Sequence, residues 1–285
     1  MQPQNRPEES ALKEQVGRAF EAARRGDFAG IVELEKLGPP VVPLLAQYVE
    51  DPDSNLRREA VALLRTMGGR ETVPPLLRAL GDPDLDIQAR AALALYLHNP
   101  PADVAKADDA ENRLRASVEG GNHAAAAILL LGYFSGQDSQ RLLRSLQTRP
   151  PEERAELQPW SPAVPVALPA TVALSLRGDN DARRRLLETI NRGEPKELEF
   201  LFSVLREIDA PEVIHGLKQI LKDERPTKAG VPSGAEPELR LCDLAVNALV
   251  RGLDLKVDFE LSESDRYTPE QIEAVRQAIN QSLPR

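Results

Sequence analysis

The sequence predicts an all-α fold, an α-solenoid in which antiparallel helical hairpins stack into a superhelix. Three observations carry that expectation. A stretch near the amino terminus repeats itself after 31 residues. No segment alternates apolar and polar residues with period two for long enough to need a sheet. Aromatic residues make up only 4% of the chain, so Leu, Ala and Val must fill the core, which suits closely packed helices better than a β-sandwich.

The repeat is specific. A shift of 31 sets Pro43 on Pro74, Leu45 on Leu76, Val49 on Leu80, and Asp51-Pro52-Asp53 on Asp82-Pro83-Asp84. The same register continues with Leu56 on Ile87, Ala60 on Ala91 and Leu64 on Leu95. Each copy is a helical hairpin. Its first helix opens with prolines, which are tolerated in a first turn where the N–H has no partner. Asp-Pro-Asp stops that helix, and Asn55 or Asp86 is expected to cap the next. Second helices are expected over Leu56–Met67 and Ile87–His98, with Gly68-Gly69 ending the first of them. Neither hairpin can bury its apolar face alone, so neighbours must stack.

These residues resemble HEAT repeats of the short bacterial type shared with phycobilin lyases: leucines, Asp-Pro-Asp, a branched residue and an Arg/Ala-rich second helix. The likeness is good over Val41–Leu97 and returns at Leu239–Leu249. Between them the pattern is degenerate but helical, over Asn122–Leu131, Asp138–Leu146, Asn180–Ile190, Pro195–Ile208 and Pro211–Leu221. An opening helix is expected over Glu8–Arg25. A closing one is expected over 268–283, where Thr268-Pro-Glu-Gln271 supplies the N-cap. The expectation is one domain over residues 1–285, with 1–7 as a flexible start and about six or seven helical pairs in one array. The proline-rich stretch Pro150–Pro169 and the loop Asp223–Glu238 are taken as insertions.

Composition narrows the function. A net charge of −9 and a pI near 5.1 disfavour nucleic acid and anionic membrane as partners, because phosphate contacts need a basic face. Cys242 is the sole cysteine, so neither an intrachain disulfide nor a thiolate metal cluster can form. The longest apolar run, Ala124–Leu131, falls far short of the roughly 18–20 residues that span a bilayer. The amino terminus carries no apolar signal core. Cytoplasm is the default expectation, although an exported chain stripped of its leader would read the same.

Catalytic chemistry is not visible. His98, His123 and His215 have no metal-ligand spacing. HEAT-repeat metal hydroxylases use paired His-Glu steps, whereas here the following residues are Asn99, Ala124 and Gly216. Cys242 sits among apolar residues as a small hydrophobe. Gly68-Gly69 and Gly120-Gly121 are helix punctuation rather than phosphate loops. Two catalytic alternatives follow from the resemblance, a lyase and a DNA glycosylase, the latter needing a basic aromatic-lined face. Nucleic-acid binding without chemistry is a third. The expectation is a noncatalytic protein-interaction scaffold or adaptor, not an enzyme, without cofactor or metal, whose partner is another protein.

The resemblance implies that second helices line the concave face. Their non-core stripe therefore supplies the candidate partner-binding residues: Arg58 and Arg65 on the first repeat, Tyr96 where the shift carries Arg65, and Arg240, Asp243, Asn247 and Arg251 near the carboxyl end. The last four fall at spacings of three and four on one side of a helix. An inter-repeat hydrogen-bond ladder is the competing role for the same stripe. Trp160 is either an exposed anchor or a cover for an irregular turn. Asp258, Glu260, Glu263 and Asp265 form an acidic patch that is either solvated or recruits a basic partner.

Overall fold

The computed structural model describes residues 6–99, 101–158, 161–204, 211–227 and 239–282. Trp160, residues 228–238 of the expected loop insertion, the end of the helix expected to reach Ile208, the last residue of the expected closing helix (Leu283) and the first five residues lie outside them. The chain divides into two compact units, 1–142 and 143–285. Each is built mainly from α-helices.

In the first unit, α1 (Arg6–Ala23) and α2 (Ala29–Leu34) precede the repeats. The first copy has a short α3 (Val42–Leu45), a 3-10 turn at Tyr48–Glu50 and a long α4 (Ser54–Met67); the second has α5 (Val73–Ala79) and α6 (Leu85–His98). After α7 (Pro101–Val104) come α8 (Ala110–Glu119), α9 (Ala125–Leu131) and α10 (Gln137–Gln147), which crosses the unit boundary. Prolines sit at the first turns of α3 and α5, as the repeat demands. α4 packs on α6 and α6 on α9, so these three helices form one row, while α5 and α8 each back onto their own partner, α6 and α9. α9 is buried along its whole length, which is why its sequence is apolar on every side. Gly68 and Gly69 end α4 with φ of 56° and 86°, left-handed values that a side chain resists. At the amino end, Phe20 of α1 stacks on Tyr48 with centroids 3.7 Å apart.

The Asp-Pro-Asp turns differ from expectation in one respect. The caps are Asp53 and Asp84, not Asn55 and Asp86. Asp53 accepts from the Asn55 N–H at 2.9 Å, and Asp84 from the Asp86 N–H at 2.9 Å. A short carboxylate reaches the N–H two residues ahead, so the capping residue is the last of the triplet. The first aspartate does the same for the turn: Asp51 accepts from Asp53 N–H and Asp82 from Asp84 N–H.

Those first aspartates also join the repeats. The Arg57 guanidinium grips Asp82 in a fork, Nε to Oδ2 at 2.6 Å and Nη2 to Oδ1 at 3.1 Å, and donates Nη1 to the Asp51 carbonyl at 2.9 Å. One side chain thus holds two successive turns. Before it, Arg24 meets Asp51 at 2.8 Å; after it, Arg115 meets Asp138 at 2.8 Å. The 31-residue shift puts Gln88 where Arg57 stands. Gln88 donates to the Asp82 carbonyl and accepts from the Ser117 hydroxyl, both at 2.6 Å.

The second unit holds α11 (Ala167–Leu176), α12 (Asn180–Arg192), α13 (Pro195–Ser203), α14 (Pro211–Lys218), α15 (Leu241–Gly252) and α16 (Pro269–Ser282). α11 packs on α12, α12 on α14, α13 on α15 and α15 on α16. The same turn chemistry recurs: Asp179 caps α12, accepting from the N–H groups of Asp181 and Ala182, and meets Arg144 at 3.2 Å. Within the expected proline-rich insertion, β1 (Arg154–Ala155) pairs antiparallel with β2 (Val164–Pro165). α16 opens with the expected box, Thr268 N–H donating to Gln271 Oε1 at 2.9 Å and Gln271 N–H to the Thr268 hydroxyl oxygen at 3.3 Å. No helix among the described residues is long and apolar enough to cross a membrane.

The Arg57 side chain is 12% exposed and that of Asp82 only 2%, whereas the Arg24 side chain is 39% exposed. Arg57→Ala leaves a buried carboxylate without its cation and is expected to cost about 3 kcal/mol. Arg24→Ala is expected to cost about 1 kcal/mol or less, because water screens the pair. Urea unfolding of both variants checks the ordering.

Candidate functional site

In the first unit the candidate residues part company. Arg58 is half-buried and committed: Nη2 meets Asp84 at 3.1 Å, Nε meets Asp86 at 3.1 Å, and Nη1 donates to Asn55 at 3.1 Å. Arg90, which the sequence stripe did not include, donates to the same Asp86 at 2.8 Å. The hydrogen bond from Arg90, and then that from Arg58, hold the Asp86 carboxyl below its ordinary range. An aspartate four residues before an arginine was the available signal for this pair.

Arg65, at the other end of α4, has no carboxylate partner among the described residues. Its neighbour in charge is His98 at the end of α6: burial first, then the Arg65 cation, hold that imidazole below the usual histidine range. Tyr96 does not belong to an accessible stripe. It is 1% exposed, because α6 is covered by α4, α5 and α9 together, and its ring becomes core.

The carboxyl-terminal set is brought together, Arg240, Asp243 and Asn247 largely inside the protein and Arg251 with its side chain 56% exposed. Asp243 is fully buried and Asn247 is 6% exposed. Asp243 accepts from the Arg240 backbone at 2.9 Å, from its Nε at 3.1 Å and Nη2 at 3.0 Å, and from the Tyr267 N–H at 3.0 Å. Arg240 also donates to the Tyr267 carbonyl at 3.0 Å. The Tyr267 hydroxyl donates to Asn247 Oδ1 at 2.7 Å and accepts from the Ser262 N–H at 2.7 Å, while Asn247 Nδ2 donates to the Ser262 carbonyl at 2.7 Å. Arg251 pairs with Glu263. The expected partner surface is therefore corrected for Arg240, Asp243 and Asn247, which the chain's own Ser262–Tyr267 segment occupies, while Arg251 stays at the surface beside Glu263. Glu263 and Asp265 of the acidic patch serve this docking, Asp265 accepting from the Ser262 hydroxyl at 2.7 Å.

Cys242 is buried, and burial pushes its thiol up to about 11, so it stays protonated at neutral pH. Among the described residues no group of three or more His, Cys, Asp or Glu side chains is arranged to hold a metal ion.

Tyr267→Phe strands Asn247 Oδ1 and the Ser262 N–H inside the second unit and is expected to cost about 1–3 kcal/mol, read as a lowered melting temperature. His98 is expected to be neutral at pH 7. A histidine whose folded pKa is depressed contributes stability above the unfolded value near 6.5, lost as pH falls. In an NMR titration, Arg65→Gln is expected to move the His98 midpoint upward, and an unmoved midpoint would separate the two side chains.

The sequence pattern of HEAT repeats matches residues 39–120, from the turn before α3 to the end of α8. No curated protein matches the chain. Among solved structures, human deoxyhypusine hydroxylase in complex with glycerol is similar at 16% identity over 96% of each chain, with a TM-score of 0.34. At that score no site residue is carried across, and the HEAT match itself covers α3 to α8 of the first unit.

Proposed function

We propose that this chain is a noncatalytic interaction scaffold that binds a partner protein on the second-helix face of its first unit. The observation that carries the reading is the contrast between the two candidate surfaces. The face of α4 and α6 keeps Arg58, Arg65, Arg90 and His98 at its surface, whereas the matching stripe of α15 is covered by the chain itself at Arg240, Asp243 and Asn247. HEAT repeats supply such faces by stacking, because each hairpin adds one more second helix to a continuous row.

Arginine suits the task, since its planar fork pairs with carboxylates and stacks on aromatics. Arg65 is the better anchor of the two originally singled out, because Arg58 is already spent on Asp84 and Asp86. A desolvated arginine contact contributes on the order of 2 kcal/mol, and a rim charge far less. The complementary partner surface is acidic.

The double reversal Arg65→Glu with Arg90→Glu is expected to weaken a captured partner at least roughly tenfold, about 1.4 kcal/mol. The reversal Lys13→Glu, on α1, is expected to leave binding unchanged. Both variants must keep the parent's helical spectrum and melting temperature. Equal retention of the partner by parent and double variant would remove the proposed surface.

A further inference from the structure

The second unit contains a cleft of about 590 Å³ with an unusual floor. Glu199, on α13, is only 8% exposed, and its carboxylate is met by the hydroxyl of Thr227, itself 2% exposed. A neutral donor satisfies one lone pair but offsets little of the charge. Glu199 makes no ion pair among the described residues. Arg154, at the rim, turns its Nη1 to the Pro151 carbonyl at 3.2 Å. Lys196, one turn before Glu199 on the same helix, also lines the cleft and pairs with no carboxylate among the described residues.

A buried carboxylate without a cation is costly, because desolvation penalises the charged form and a hydroxyl recovers only part of the loss. The walls add a second property. Pro162, Pro165, Pro195 and Pro226 line the cleft beside Val164, giving a rigid apolar slot that leads to the negative floor. Glu194 and Glu197 contribute further negative charge to the lining. Long basic side chains have the complementary form, an apolar stem that packs along aliphatic surface and a cationic head.

We propose that this cleft receives one arginine side chain of a partner protein, its stem along the prolines and its guanidinium on the Glu199 carboxylate. Arginine is favoured over lysine because its fork leaves donors for Glu199 and the adjacent glutamates together. The inference rests on the scaffold reading only in taking the partner to be a protein. It assigns a different surface, in the other unit.

The test uses the full chain and three probes followed by ligand-observed NMR: the capped peptide Ala-Ala-Arg-Ala-Ala, its citrulline counterpart, and agmatine as a free guanidinium. The arginine peptide is expected to bind at least roughly tenfold more tightly than the citrulline peptide, which keeps shape and loses charge. Glu199→Gln is expected to abolish that preference while holding or raising the melting temperature, since glutamine still accepts from Thr227 and removes the buried charge. Lys196→Ala is expected to preserve or strengthen binding. Equal binding of the arginine and citrulline peptides, a preference that survives Glu199→Gln, loss of binding in Lys196→Ala, or a melting temperature lowered by Glu199→Gln would each overturn the proposal. Agmatine binding as tightly as the peptide would overturn the assignment to a protein side chain. The Arg65→Glu, Arg90→Glu variant is expected to keep the arginine preference, so failure of the first-unit surface and failure of this cleft are read separately.

Discussion

The fold depends on an aspartate placed in the turn between two helices and held by an arginine from further back in the chain, beyond the helix that leads into the turn. Asp51 and Asp82 play this part in the first unit and Asp179 in the second, with Arg24, Arg57 and Arg144 as their cations; Asp138, in the first turn of α10, repeats only the ion pair, with Arg115. The interaction works at two ranges. Locally the carboxylate ties down backbone N–H groups that the helix start leaves free. Across repeats it receives an arginine, as a two-bond fork at Asp82 and through a single nitrogen at Asp51 and Asp179, which ties one turn to an earlier part of the chain. Apolar burial drives the stacking but is indifferent to register; the ion pair supplies the register.

Much of this was legible in the residues. The 31-residue shift located both Asp-Pro-Asp turns and the long helices after them, because turn chemistry and core positions repeat together. The cap assignment slipped by two residues, since the spacing shows where a helix begins but not which carboxylate reaches back into it. α11 was missed for a different reason. Its ten residues are buried almost throughout, so no polar side remains to give a period. Tyr96 shows the limit of copying a register: Arg65 ends at the surface, but its counterpart lies under three helices.

The carboxyl-terminal stripe was legible as a stripe and not as an interior. Arg240, Asp243, Asn247 and Arg251 do share one side of α15. What covers that side arrives fifteen to twenty-odd residues later, in an irregular segment with no repeat to announce it. Polar spacing on a helix marks a surface that wants partners; it does not say whether the partner is another molecule or the same chain. The tyrosine makes the difference here, since Tyr267 supplies donors and acceptors to Asp243, Asn247 and Ser262 at once.

The entry and exit of the segment 228–238 sit on one antiparallel rung, where Thr227 N–H donates to the Leu239 carbonyl at 2.9 Å and Leu241 N–H to the Arg225 carbonyl at 3.0 Å. Both ends are therefore tied at the same point of the scaffold. The rung fixes Leu239 and Leu241 against Arg225 and Thr227 by backbone bonds alone. α15 starts from a point already clamped to an earlier stretch of the chain, so its register is set before its first turn is wound.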